Sequence, residues 1–188
     1  MTLGAVTAFD ASVAAAVHGL RGDTLTTFVR VVTASAGTVA IVCALLVLCV
    51  VLVRARRAPE AGLALSLVAG GMLLSTLVKV LVGRVRPPVA SALIGLPESA
   101  SLPSGHTMAS LCLAVALSHA VLSSGASRAA KAATVAAFAA WAVTVGVSRI
   151  YLGVHWPSDV AASWVLGGGW VVVVLGAGSW RVRKSAGA

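Results

Sequence analysis

Three separated stretches hold side chains suited to handling a phosphoryl group: "KVLVGRVRP" at 79–87, "PSGH" at 103–106 and "SRIYLGVHWPSD" at 148–159. The guanidinium fork of arginine matches phosphate oxygens, and lysine adds a compact positive charge. Lys79, Arg86 and Arg149 could thus surround a dianionic tetrahedral group from three directions. Ser104 precedes an expected helix start, where free backbone N–H groups and the helix dipole favour an anion, and Gly105 lets the backbone approach closely. Pro157 suits a first helical position and puts Asp159 in the first turn, four residues after His155. Asp159 can then accept a hydrogen bond from one ring nitrogen of His155, which leaves the lone pair of the other aimed at phosphorus. His106, at the opposite helix start, is placed to protonate a leaving oxygen and later to activate water.

The elements that must bring these stretches together are apolar. Of the 188 residues, 59% are hydrophobic and only 10% charged, far from the balance of a water-soluble domain. The sequence predicts an all-α, polytopic transmembrane bundle forming a single domain over 1–188. Five spans are expected at about 35–53, 61–82, 106–123, 132–147 and 159–178, each approaching the roughly 20 residues a helix needs to cross a bilayer. Residues 1–23 hold Phe9, Val13, Ala16 and Leu20 at helical spacing and predict an interfacial helix, with an imperfect sixth span as the alternative. The first apolar stretch holds Asp10 and no basic run precedes it, which argues against a cleaved leader.

"RARR" at 54–57, Arg128 with Lys131, and "RVRK" at 181–184 fall on one side, which the positive-inside rule makes cytoplasmic. Residues 179–188 are then a cytoplasmic tail, and the three stretches, with the connection at 88–103, face the extracytoplasmic side of a cell membrane. Lys79, Arg84, Arg86 and Arg149 break the charge rule there and need a reason. For Arg84 the expectation is snorkelling into headgroups. The net charge of +9 is not gathered on one amphipathic helix or arm, which excludes nucleic acid as the partner. Cys43, Cys49 and Cys112 lie in apolar runs without metal-ligand spacing and read as buried small hydrophobes. No metal or other cofactor is expected. Tyr151 and Trp156 suit an interfacial aromatic role, His119 a structural contact at the cytoplasmic end, and Gly167, Gly168 and Gly169 close helix packing.

The three stretches together resemble the type 2 phosphatidic acid phosphatase (PAP2) superfamily, whose signature reads KxxxxxxRP, PSGH and SRxxxxxHxxxD. Lys79, Arg86, Pro87, Pro103, Ser104, Gly105, His106, Ser148, Arg149, His155 and Asp159 all match it. The resemblance implies a helical core shared with haloperoxidases and metal-independent hydrolysis of a phosphomonoester or diphosphate. It implies a phosphohistidine at His155 oriented by Asp159, acid–base work by His106, and phosphate contacts from Lys79, Arg86, Ser104, Gly105 and Arg149. The spans favour a lipid phosphate as substrate, with undecaprenyl diphosphate first and phosphatidic acid or phosphatidylglycerophosphate as alternatives. A vanadate-dependent haloperoxidase and a non-enzymic lipid-phosphate binder or transporter are the rivals from other classes. No obligatory protein partner is implied, and a homo-oligomer is compatible with the sequence.

Overall fold

A computed structural model describes residues 3–186, with side chains from 7 to 177. The described residues form α-helices joined by turns and one short 3-10 segment, with no strand among them. Helix α1 (Leu3–His18) and helix α2 (Asp23–Ala34) are separated by a break containing Gly19 and Gly22, and Asp23 supplies the carboxylate that a helix N-terminus favours. Helix α3 (Thr38–Arg54) follows α2 after a 50° bend. Helix α4 (Ala58–Val82) has proline in its first turn and ends at Gly83, whose φ of 61° is the left-handed value a glycine cap adopts without cost. Helices α5 (Gly105–Leu122), α6 (Arg128–Tyr151) and α7 (Pro157–Ala186) complete the bundle. The Ser127 hydroxyl caps α6 by accepting from the N–H of Ala130.

Helices α4, α5, α6 and the first part of α7 are each long and apolar enough to cross a membrane, and α2 with α3 make a fifth candidate as one bent span. The expected fourth span at 132–147 is longer than its apolar signal: α6 has 24 residues, and its polar, alanine-rich first turns extend it toward Ser127. The side chains of the tail at 179–188 lie outside those described.

Helix α5 is apolar on every side and packs against α3, α4, α6 and α7, as its central position requires. On α3, Ile41, Leu45, Leu48 and Leu52 recur at helical spacing and meet Ala61, Ala64, Leu67 and Val68 of α4, with Cys112 and Leu113 of α5 beneath. Val47, Leu73, Val80 and Val172 point outward and are exposed, an arrangement suited to hydrocarbon rather than water. Of the three glycines at 167–169, Gly167 alone is a contact point: a Cβ there would lie 2.8 Å from Leu111, whereas Gly168 and Gly169 face open space. Short links at 55–57 and 123–127 close one end of the bundle. The C-terminal ends of α4 and α6, the N-terminal ends of α5 and α7, and the connection 83–104 therefore meet at the other.

Candidate active site

Tight turning after α6 delivers His155 to this end. Gly153 has φ 71°, and a Cβ there would lie 2.1 Å from the carbonyl oxygen of Ser91, so only glycine fits between α6 and the connection. The backbone N–H groups of Val154 and His155 both donate to the Arg149 carbonyl, which fixes Arg149 and His155, two expected site residues, relative to each other. Arg86 Nη1 donates to His155 Nε2 at 3.1 Å. Because arginine only donates, Nε2 carries the lone pair and the ring proton sits on Nδ1. Nδ1 lies 3.5 Å from Asp159 Oδ2, close to a hydrogen bond without forming one. His155 is 3% exposed. Burial disfavours its charged form and pushes its pKa down to about 4, the nearby Asp159 carboxylate offsetting part of that.

Asp159 is fully enclosed. Its Oδ2 accepts from the Ser101 hydroxyl and, at 2.9 Å, from the N–H of Trp156; its Oδ1 accepts from Arg84. Arg84 is therefore turned inward, not extended toward headgroups, and its other amino group pairs with Asp10 of α1 at 2.6 Å. The snorkelling expectation fails because two buried carboxylates outcompete water for this guanidinium.

Lys79 Nζ donates to the Ala100 carbonyl, and Arg86 also holds the carbonyls of Ser99 and Val154. Both cations thus fold the 88–103 connection over the site. Arg149 is 2% exposed; its Nη1 donates to Thr33 at 2.6 Å, and its Nε has no partner. A buried guanidinium with an unspent donor is poised for an anion. His106 lies within electrostatic range of Arg149, His155, Arg86 and Lys79. The Ser104 backbone N–H is already committed to Ser163, and its hydroxyl accepts from Thr107, so its remaining hydroxyl proton is what it can offer a ligand. No side chain caps the start of α5 at Gly105, which leaves first-turn N–H groups for an anion. All eight expected site residues are thus at one end of the bundle.

Several participants escaped the sequence reading. Arg84 sits at an unspecified position of the first stretch, where it stood out only as a base against the charge rule, while Asp10, Ser101 and Thr33 lie outside the three stretches, and the one signal among them was a carboxylate inside an apolar N-terminal stretch. Tyr151 is not interfacial: it is 4% exposed, and its hydroxyl meets Thr26 Oγ1 and the N–H of Gly22. His119 makes a structural contact, as expected of it, with Nδ1 3.6 Å from Glu60 at the end of the bundle away from the site. Beside His155 a cavity of about 240 Å³ opens between α1 and the connection, lined by Ala11, Ala14, Ala15, Pro87, Pro88 and Trp156 among others.

Comparison with known proteins places this geometry. The family model described as "PAP2 superfamily" matches residues 60–183. The crystal structure of a transmembrane PAP2-type phosphatidylglycerolphosphate phosphatase from Bacillus subtilis superposes with a TM-score of 0.84 at 26% identity, over 92% of this chain and 85% of that one. LpxE from Aquifex aeolicus shares the fold at a TM-score of 0.70 and 22% identity, over 87% of this chain and 93% of that one. An undecaprenyl-diphosphatase from Sulfolobus acidocaldarius is 65% identical over 26 residues, which span 14% of this chain and 13% of that protein. With the match running from the first turn of α4 almost to the end of α7, the chain belongs to the PAP2 superfamily.

Proposed function

We propose that the chain works as one domain, an integral-membrane lipid phosphatase that forms a phosphohistidine at His155. The observation that carries this reading is the hydrogen bond from Arg86 to His155 Nε2, which directs the lone pair of a neutral imidazole into a cluster of cations. As the phosphate displaces Arg86 from the ring, the Nε2 lone pair forms a P–N bond. The bond from phosphorus to the leaving oxygen breaks, and that oxygen takes its electron pair and a proton from His106. Water then attacks phosphorus and gives a proton to His106; the P–N pair returns to Nε2 and phosphate departs. Lys79, Arg86, Arg149, the Ser104 hydroxyl and the α5 N-terminus stabilise the added charge in the transition state. No metal is required in this scheme.

The leading substrate is undecaprenyl diphosphate, cleaved to the monophosphate at the extracytoplasmic leaflet, a reading supported by the short match to the archaeal diphosphatase. Phosphatidylglycerophosphate is the second reading, favoured by the similarity to the Bacillus subtilis phosphatase over most of both chains. Phosphate release by purified protein in EDTA, against both lipids and phosphatidic acid, separates them. Wild type is expected to turn over and His155→Ala to fall to background. Equal rates for the two proteins would remove His155 as nucleophile, and loss of wild-type activity in EDTA would remove the metal-free scheme.

A further inference from the structure

We propose that Arg84 and Asp10 are positioning residues: Arg84 holds Asp159 toward His155, and Asp10 of α1 holds Arg84. The proposal rests on the phosphohistidine reading above. Asp159 has two oxygens and both are spoken for, Oδ1 by Arg84 and Oδ2 by Ser101 and Trp156, which leaves Oδ2 facing His155 Nδ1. Among the described residues Arg84 is thereby the sole charged partner of Oδ1, and without it a fully buried oxygen would lack its counter-ion. The carboxylate would then rotate or take up a proton, and either change releases the imidazole.

Asp10 secures the other side. It is 1% exposed, 74 residues distant from Arg84 in the chain, and takes the second amino group of Arg84 together with the N–H and hydroxyl of Ser158. Arg84 retains 21% side-chain exposure, so loss of Asp10 frees it to swing toward water. Charge balance agrees. Lys79, Arg84, Arg86 and Arg149 face Asp10 and Asp159, an excess of two positive charges that matches a phosphate dianion. An arginine balancing two carboxylates keeps those carboxylates from repelling the substrate. Helix α1, which carries no motif residue, thus becomes part of the catalytic apparatus through one side chain.

Turnover of Arg84→Gln and Asp10→Asn, each alone and combined with Asp159→Asn, tests this. Arg84→Gln is expected to lower kcat by about tenfold to a hundredfold, the range for losing a partner that orients a functional side chain, with KM nearly unchanged. Asp10→Asn should have a smaller effect in the same direction, and Arg84→Lys should restore part of the loss. In the Asp159→Asn background the further effect of Arg84→Gln should vanish. A raised KM at constant kcat, or an undiminished effect in that background, overturns the proposal. The nitrogen-15 histidine spectrum, assigned by the signal lost in His155→Ala, decides without turnover. His155 should remain the Nδ1–H tautomer throughout, because Arg86 still donates to Nε2, but its Nδ1 signal should shift in Arg84→Gln or Asp10→Asn as the Asp159 carboxylate turns away from it, and an unchanged Nδ1 signal in both variants overturns the proposal. Wild-type turnover by His155→Ala would instead defeat the phosphohistidine reading, whatever the Arg84 variants do.

Discussion

At the residue scale, the hydrogen bond from Arg86 both marks the ring nitrogen that carries the lone pair and covers it, so under the proposed mechanism substrate phosphate must compete for the same guanidinium before His155 can react. The buried imidazole has a stability consequence. Its pKa is about 4 in the folded protein against an ordinary value of 6.5, so between these values the unfolded chain binds the extra proton. Stability attributable to His155 is therefore complete above about pH 6.5 and declines as pH falls toward 4, by about 1 kcal/mol near pH 5.5. Thermal unfolding in detergent should show a wild-type Tm that drops on acidification more steeply than that of His155→Gln; parallel slopes would contradict the assignment. The proposed reacting residues were legible in the sequence because each motif is contiguous and its chemistry is carried by residue type. The partners they bond to were not, since Arg84 lies 75 positions from Asp159 and Thr33 lies 116 from Arg149, and no local pattern encodes such a pairing.

At the element scale, the site depends on helices held close enough for their ends to converge. Gly70 of α4 lies under the Trp170 ring of α7: a Cβ at that position would sit 2.2 Å from Cζ2. The ring cannot step aside freely, because its Nε1–H points at the carbonyls of Ser66 and Leu67. Gly70→Ala is thus expected to force α4 and α7 apart at a cost of about 1–3 kcal/mol. Gly168→Ala, which faces open space, should be neutral or gain up to about 1 kcal/mol from helix propensity. Tm values in one detergent check both, and a harmless Gly70→Ala would show that the interface yields. Apolar runs made the spans legible, with their ends least so where alanine and charge blur the boundary, as at Arg128. The glycines that matter most for packing were not legible. A run such as 167–169 stands out by eye, whereas the isolated Gly70 is revealed only by the tryptophan that another helix places over it.

At the scale of the whole molecule, the two ends of the bundle carry bases of different kinds. At the end away from the site, Arg54, Arg56 and Arg128 are exposed, and Arg57 pairs with Glu60 and the Ala120 carbonyl. At the site end nearly every base is turned inward: Lys79 and Arg86 onto the connection, Arg84 onto two carboxylates, Arg149 onto Thr33, and Arg21 onto the carbonyls of Ser91 and Tyr151. Charges consumed inside the fold exert little pull on topology, so the exposed bases at the far end should decide it, which predicts that the site lies outside the cytoplasm. The prediction can be read with single cysteines at Ala90 beside the site and Gly125 at the far end. Cys43 and Cys49 are replaced, while Cys112, fully buried, stays. In intact spheroplasts an impermeant maleimide should label the cysteine at 90 and leave that at 125 untouched until the membrane is opened. The reverse pattern would place the phosphate cradle in the cytoplasm and, with it, remove a lipid diphosphate of the outer leaflet as substrate.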